Sequence, residues 1–207
     1  VGPPDAAAEN IEVPFVDYIK NVVSSEIYPN WPENAIRANT YAIITYALNR
    51  IYTEYYRSRG YDFDITNSTA IDQAYVKNRD IYENIDSIVN EIFNDYVARQ
   101  GTVNPFFTQF CNGTTSTCNG LSQWGTVTLA NQGLTPYEIL QRYYGNDINI
   151  IENAPVAEID ESYPGFPLRL GDAGNEVEII QEELKRIGDN YPAIPDIPNT
   201  NGVFDVN

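Results

Sequence analysis

The residues able to do chemistry are defined first by what is missing. The chain has no histidine among its 207 residues, which removes the commonest general base and the commonest metal ligand. Ser24, Ser25 and Ser122 therefore lack an imidazole to activate them, and Ser-His-Asp hydrolysis is excluded; Cys-His catalysis falls for the same reason. What remains is carboxylates, hydroxyls and two cysteines. Cys111 and Cys118 bracket a Gly/Thr/Asn loop, either as a disulfide in an oxidising compartment or as two thiols in a reducing one. Asp62, Asp64, Asn67 and Asp72 present oxygens that a calcium ion could use. Their spacing departs from an EF-hand loop, with no glycine and no terminal glutamate in place.

The elements that must position these groups follow from hydrophobic periodicity. Phe15, Tyr18, Ile19, Val22 and Val23 form a helical stripe over 14–25 that the Tyr28-Pro29 step ends. A second helix is predicted from Pro32 to Arg57, burying Ile36, Ala38, Ala42, Ile43, Tyr46, Ala47, Ile51, Tyr52 and Tyr55. Tyr61 to Ile65 alternates apolar and acidic residues, the pattern of a half-buried strand. A third helix is expected at 83–99, extended chain at 102–110, and a short helix from Ser122. Thr135-Pro136-Tyr137-Glu138 has the capping-box pattern for a helix that Gly145 stops after Tyr144. The fold class is α+β, predominantly helical.

Composition sets the domain plan and excludes some partners. Hydrophobic residues at 43% suffice for a core, and the 12 basic against 29 acidic residues give a net charge of −17. Such a surface repels phosphate backbones, so nucleic acid is not an expected partner. Apolar runs are too short and broken for a membrane span. Residues 1–10 lack the features of a secretion signal and read as a linker from which upstream residues have been lost. A main domain occupies 11–150, a Pro- and acid-rich linker 151–165, and a small partial helical unit 166–207, whose helix turns Val177, Ile180, Leu184 and Ile187 inward before a Pro-rich loop.

Two stretches resemble known families. Val22 to Pro32, with Ala35, Ala38 and Tyr41-Ala42 after it, is followed by Asp64-Ile65-Thr66 and by Gly120-Leu121-Ser122-Gln123-Trp124-Gly125. Then comes Tyr137-Glu138-Ile139-Leu140 before Tyr143-Tyr144-Gly145. In this order, over residues 13–146, these pieces resemble the sporulation stage II protein D family, which includes the amidase-enhancer proteins. Leu170-Gly171, Gly174, Val177, Gln181, Leu184 and Asn201-Gly202-Val203-Phe204 resemble the first half of a peptidoglycan-binding three-helix repeat.

The resemblance implies a lytic transglycosylase of the bacterial envelope, spore or extracellular space, its partner the glycan strands of peptidoglycan. One carboxylic acid protonates the glycosidic oxygen and then helps the sugar's own hydroxyl close an anhydro ring, unlike the two-carboxylate glycosidases. Glu26 stands at the family's catalytic position. Val22, Val23, Ile27, Tyr28 and Trp31 would desolvate it and raise its pKa toward that of a general acid. Tyr28 and Trp31 would stack on a sugar, and Thr66, Asn67, Ser122 and Gln123 would orient the sugar or the carboxylate. Family members commonly carry histidine before Ser-Gln-Trp-Gly, some binding zinc through His and Cys. This chain has Ser116-Thr117-Cys118-Asn119-Gly120 there, so no zinc and no cofactor is expected, and Cys111 and Cys118 would pin the loop instead. The alternative is an inactive structural or spore-surface protein on the same fold, which tight self-association would favour.

Overall fold

The computed structural model describes residues 2–155, 167–190 and 200–205. The chain divides into two compact units, Val1–Pro155 and Val156–Asn207.

The first unit is built around one helix. α1 (Phe15–Glu26) leads to α2 (Glu33–Tyr52), which packs against α1, α3 (Glu83–Ile92), α4 (Gln123–Asn131), α5 (Pro136–Tyr144) and the strand β1 (Tyr96–Arg99). Small residues let it take so many neighbours: Ala35, Ala38, Ala42 and Ala47 are buried together with Ile36, Ile43 and Ile44. One side joins α1 and α3 through Ile19, Val22, Val23, Ile85, Val89 and Ile92. The other joins α5 and the strands through Val97, Leu121, Ile139, Leu140 and Ile148. Burying a Leu or Ile side chain is worth roughly 1.5–3 kcal/mol, so these two clusters supply the fold's main driving force. Within α2, Asn39 donates to the Ala35 carbonyl and to Thr126 Oγ1, both at 2.8 Å, tying α4 to the central helix.

The mainly helical α+β class stands, with several local differences. α2 ends at Tyr52 rather than Arg57. Glu54 adopts a left-handed φ of 47°, and the bonds Tyr55 N–H to Arg50 O and Glu54 N–H to Ile51 O close a Schellman motif. Ile51 and Tyr52, expected inside, are exposed on that last turn. Residues 61–65 form no strand. The rings of Tyr61 and Phe63 pack on Tyr56, while Asp62 accepts from Asn10 and Asp64 pairs with Arg57. The helix expected at 83–99 stops at Ile92, and Tyr96–Arg99 instead pairs antiparallel with β4 (Ile148–Ile151), Tyr96 opposite Ile151. The extended stretch 102–110 contributes an Ala98–Pro105 bridge and the start of β2 (Phe110–Cys111), which lies parallel to β3 (Leu121–Ser122).

α5 starts where the sequence places it. Thr135 accepts from the Glu138 N–H, and Glu138 reaches back to the Thr135 N–H at 2.8 Å.

In the second unit, α6 (Asn175–Asn190) carries Val177 buried and Ile180 half-buried, while Leu184, expected inward, is exposed. Gln181 gathers the motif residues: its amide donates to Val203 O and accepts from Gly202 N–H, each at 2.8 Å. Gly202 has a φ of 66°, and a Cβ there would crowd the Gly174 carbonyl, which explains the glycine. The linker beyond 155, the Pro-rich loop at 191–199 and the Ile187 side chain lie outside the described residues.

Candidate functional site

Glu26 closes the last turn of α1, half-buried, and both of its carboxylate oxygens are held. Oε1 accepts the Ala74 backbone N–H at 2.8 Å, and Oε2 accepts the Gln123 side-chain amide at 3.0 Å. The two donors lie 48 and 97 positions from Glu26, so the carboxylate is fixed by tertiary structure from two sides. Val22, Val23 and Ile27 are buried in its own helix end, as the sequence suggested, but the groups touching the carboxylate oxygens are hydrogen-bond donors.

Each donor has its own support. Gln123 is 3% exposed and opens α4, whose N-cap Ser122 accepts the Gly125 N–H at 3.0 Å. A Cβ at Gly125 would crowd the Tyr143 hydroxyl and the capping Ser122, so any side chain there would have to displace one of them. Just upstream, Cys111 and Cys118 form a disulfide with Cα atoms 6.0 Å apart, and Cys111 stands beside Ser122 in the β2–β3 pairing. The bonds Leu121 N–H to Gln109 O and Trp124 N–H to Asn112 O lace the same loop to the start of α4. Gly120 lies so close to the Gln109 carbonyl that no side chain fits.

Ala74 is positioned by the segment 66–76, and Asp72 anchors that segment. Its side chain is fully buried and accepts from Arg50 Nε at 2.9 Å, Tyr46 Oη at 3.0 Å, the Thr66 N–H at 3.1 Å and Thr66 Oγ1 at 2.7 Å, with a short bond from Tyr56. Arg50 also stacks on the Tyr55 ring, 3.7 Å from its centroid. Next to Asp72, Gln73 donates to Ile43 O and accepts from Tyr18 Oη, both at 3.0 Å. Burial holds the Tyr18 phenol well above its usual pKa, and the nearby charges of Asp72 and Glu26 push the same way, so it stays a neutral donor. Asn21 exchanges two bonds with the Val76 backbone.

The remaining sequence candidates separate into two groups. Tyr28 and Trp31 lie beside the carboxylate's helix end and meet a third ring, Trp124, with centroids 5.7 Å (Tyr28–Trp31), 5.9 Å (Tyr28–Trp124) and 4.9 Å (Trp31–Trp124) apart. Thr66 is buried and directed onto Asp72, and Asn67 donates to the Tyr75 carbonyl at 3.3 Å, so both act within the supporting segment. Asp62, Asp64 and Asp72 are each partnered by protein donors, and among the described residues no group of three His, Cys, Asp or Glu side chains could hold a metal ion. Ala74 escaped notice because a backbone N–H leaves no side-chain signature, whereas Asp72, read from the sequence as a calcium oxygen, instead accepts protein donors. The aspartate's role depends on donors spread from Tyr46 to Thr66.

Residues 6–98 match the family model of stage II sporulation protein, SpoIID. The matched segment carries α1, α2 and α3, hence Glu26, Asp72 and Ala74. It ends before Gln123 and Trp124 and does not reach the second unit. Neither the curated proteins nor the solved structures searched gave a match.

Proposed function

We propose that this protein binds the glycan strands of bacterial peptidoglycan and cleaves them as a lytic transglycosylase, with Glu26 as general acid and then general base. SpoIID is a family of sporulation and cell-wall processing, and the finer assignment rests on one observation: a half-buried carboxylate held on both oxygens by donors from two remote segments. A surface glutamate with no task has no need of two fixed donors from remote segments.

The chemistry asks one group to give and then take a proton. Protonated Glu26 transfers its proton to the glycosidic oxygen as the C1–O bond breaks. The carboxylate then takes the proton of the same sugar's C6 hydroxyl, whose oxygen closes on C1 to give the 1,6-anhydro end. Each oxygen of Glu26 accepts one protein hydrogen bond and retains a second lone-pair site for the travelling proton. No water and no second carboxylate enters, and no histidine is needed. Gln123 and the Ala74 N–H act as positioning groups, fixing the carboxylate's plane through both steps. Among the described residues no helix is long and apolar enough to cross a membrane. We place the protein at the cell envelope or spore on the strength of this substrate.

The test is mass spectrometry of purified glycan strands after incubation with the protein and with Glu26→Gln. Anhydro-ended fragments from the parent and none from the variant are expected. Reducing ends would replace the transglycosylase with a hydrolase. No fragments from a folded parent that still pellets with cell wall would leave the inactive wall-associated protein.

A further inference from the structure

A buried asparagine in the middle of a helix needs a reason. Asn21 sits midway along α1, 6% exposed, among the core residues Ile19, Val22 and Val23. Asparagine is a weak helix former, and its amide is tolerated out of water only when its polar ends are bonded. Here both ends are bonded, and both go to one residue. Nδ2 donates to Val76 O at 2.8 Å, and Oδ1 accepts the Val76 N–H at 2.9 Å. Facing residues of antiparallel strands exchange the same pair of bonds, so the side-chain amide stands in for a neighbouring strand.

The hold on Val76 bears on Glu26 because the two contacts share a short stretch of chain. Ala74, two residues earlier, gives its N–H to Glu26 Oε1 at 2.8 Å, and Gln73 accepts from Tyr18 Oη at 3.0 Å. Tyr18, Asn21 and Glu26 all belong to α1, so one helix holds residues 73, 74 and 76 by three side chains. The Tyr75 carbonyl between them goes elsewhere, to Asn67 at 3.3 Å. Of the three holders, the carboxylate is the one that changes protonation during the proposed reaction. A hydrogen bond to a neutral acid is weaker than one to a carboxylate, so the grip of Glu26 on Ala74 slackens whenever Glu26 carries the proton. The asparagine amide does not titrate, and its hold on the stretch is the same in both states.

We infer that Asn21 is a positioning residue for the reaction: by clasping both backbone groups of Val76 it keeps the Ala74 N–H aimed at Glu26 through protonation and deprotonation of the acid. This rests on the proposed role of Glu26 as general acid and base, and adds the group that holds its donor still.

The full chain is compared with Asn21→Leu, which keeps the side chain's volume and removes both bonds, and with Ile88→Ala, which takes buried apolar volume from α3 without touching residues 73–76. Initial rates of anhydro-end release are measured against glycan-strand concentration, beside thermal melts and amide hydrogen exchange at Ala74 read by NMR. Asn21→Leu should lower kcat about 10- to 100-fold with KM within about twofold of the parent, the pattern of a displaced catalytic group rather than of lost binding. Ile88→Ala should lower Tm at least as far and leave kcat within about twofold. Exchange at Ala74 should quicken about tenfold more in Asn21→Leu than in Ile88→Ala. Asn21→Ala repeats the comparison without adding a branched side chain to α1. An unchanged kcat, a fall that Ile88→Ala reproduces, or Ala74 exchange no faster than in that control overturns the inference. The two readings fail separately. Fast Ala74 exchange in Asn21→Leu with no strand cleavage by the parent removes the catalytic proposal and upholds the clasp. Glu26-dependent cleavage that proceeds at the parent's rate in Asn21→Leu removes the positioning role.

Discussion

Replacing Asp72 by Asn is the sharpest available test of how the site is supported. The change keeps shape and volume and removes one charge from a side chain with no solvent exposure, facing an Arg50 side chain only 8% exposed. Oδ1 accepts from Arg50 and Tyr46, and Oδ2 accepts from Thr66 Oγ1, the Thr66 N–H and Tyr56. An amide NH2 at either position therefore points a donor at donors. The least costly arrangement places it toward Tyr46 and Arg50, where the phenol can turn and accept but the guanidinium cannot. Arg50 is then a buried cation without a counter-charge, and breaking such a pair costs about 3–5 kcal/mol. For a chain of this size that lowers Tm by about 6–20 °C. The assay is urea unfolding followed by far-UV circular dichroism, with a thermal melt beside it. Arg50→Met should cost less, because Asp72 keeps four neutral donors when the guanidinium is gone. A loss under about 1 kcal/mol for Asp72→Asn, the range of an exposed pair, or the reverse order of the two variants, would refute the anchor.

Other expectations follow from the same geometry. Reducing the Cys111–Cys118 disulfide releases a loop of sequence separation 7, which the chain-entropy relation puts at about 2.5 kcal/mol; urea midpoints with and without dithiothreitol measure it, and unchanged midpoints contradict the constraint. Gln123→Ala removes a hydrogen bond to a carboxylate, worth about 1.5–3 kcal/mol. Initial rates of anhydro-end formation should therefore fall about 10- to 150-fold with the circular dichroism spectrum intact; an unchanged rate would deny Gln123 its positioning role. Burial raises the pKa of Tyr18, Tyr46, Tyr56 and Tyr144, with Asp72 adding to the first three. A folded pKa above the unfolded one means that the stability is intact below about pH 10 and is lost as pH rises beyond it. Absorbance titration at alkaline pH should show a late tyrosine class that ionises only with unfolding, and a single early transition would contradict this.

What could be read from the sequence was local. The α1 stripe and the Thr135–Glu138 capping box are written within a few residues, and both helices stand where the pattern puts them. β1 was missed because its partner lies some 50 positions away, and four residues of Tyr-Val-Ala-Arg continue a helical apolar rhythm as readily as they make a strand. The Tyr61–Ile65 alternation misled for the opposite reason. It reflects rings turned to Tyr56 and acids turned to Asn10 and Arg57, with no neighbouring strand. The end of α2 was hidden because Glu54, a residue that normally continues a helix, takes the left-handed position usually given to glycine. At the site, Glu26, Tyr28, Trp31 and Gln123 carry side chains that declare themselves. Ala74 contributes only its backbone, and Trp124 stood in a recognised motif without its meeting with Trp31 being visible.

The grip on Glu26 also has a history within each folding event. A chain emerging from its amino end has α1 early and the Ala74 bond soon after, yet Oε2 waits for Gln123, 97 positions downstream. Contacts of such long sequence separation close late, after the loop entropy between them has been overcome. The part matched to SpoIID, residues 6–98, therefore contains the glutamate and one of its two holders but not the finished carboxylate site. Any recombinant piece that stops short of α4 would carry the reactive group untethered on one side. The site belongs to the long chain, and its completion marks the moment when the two halves of the first unit have found each other.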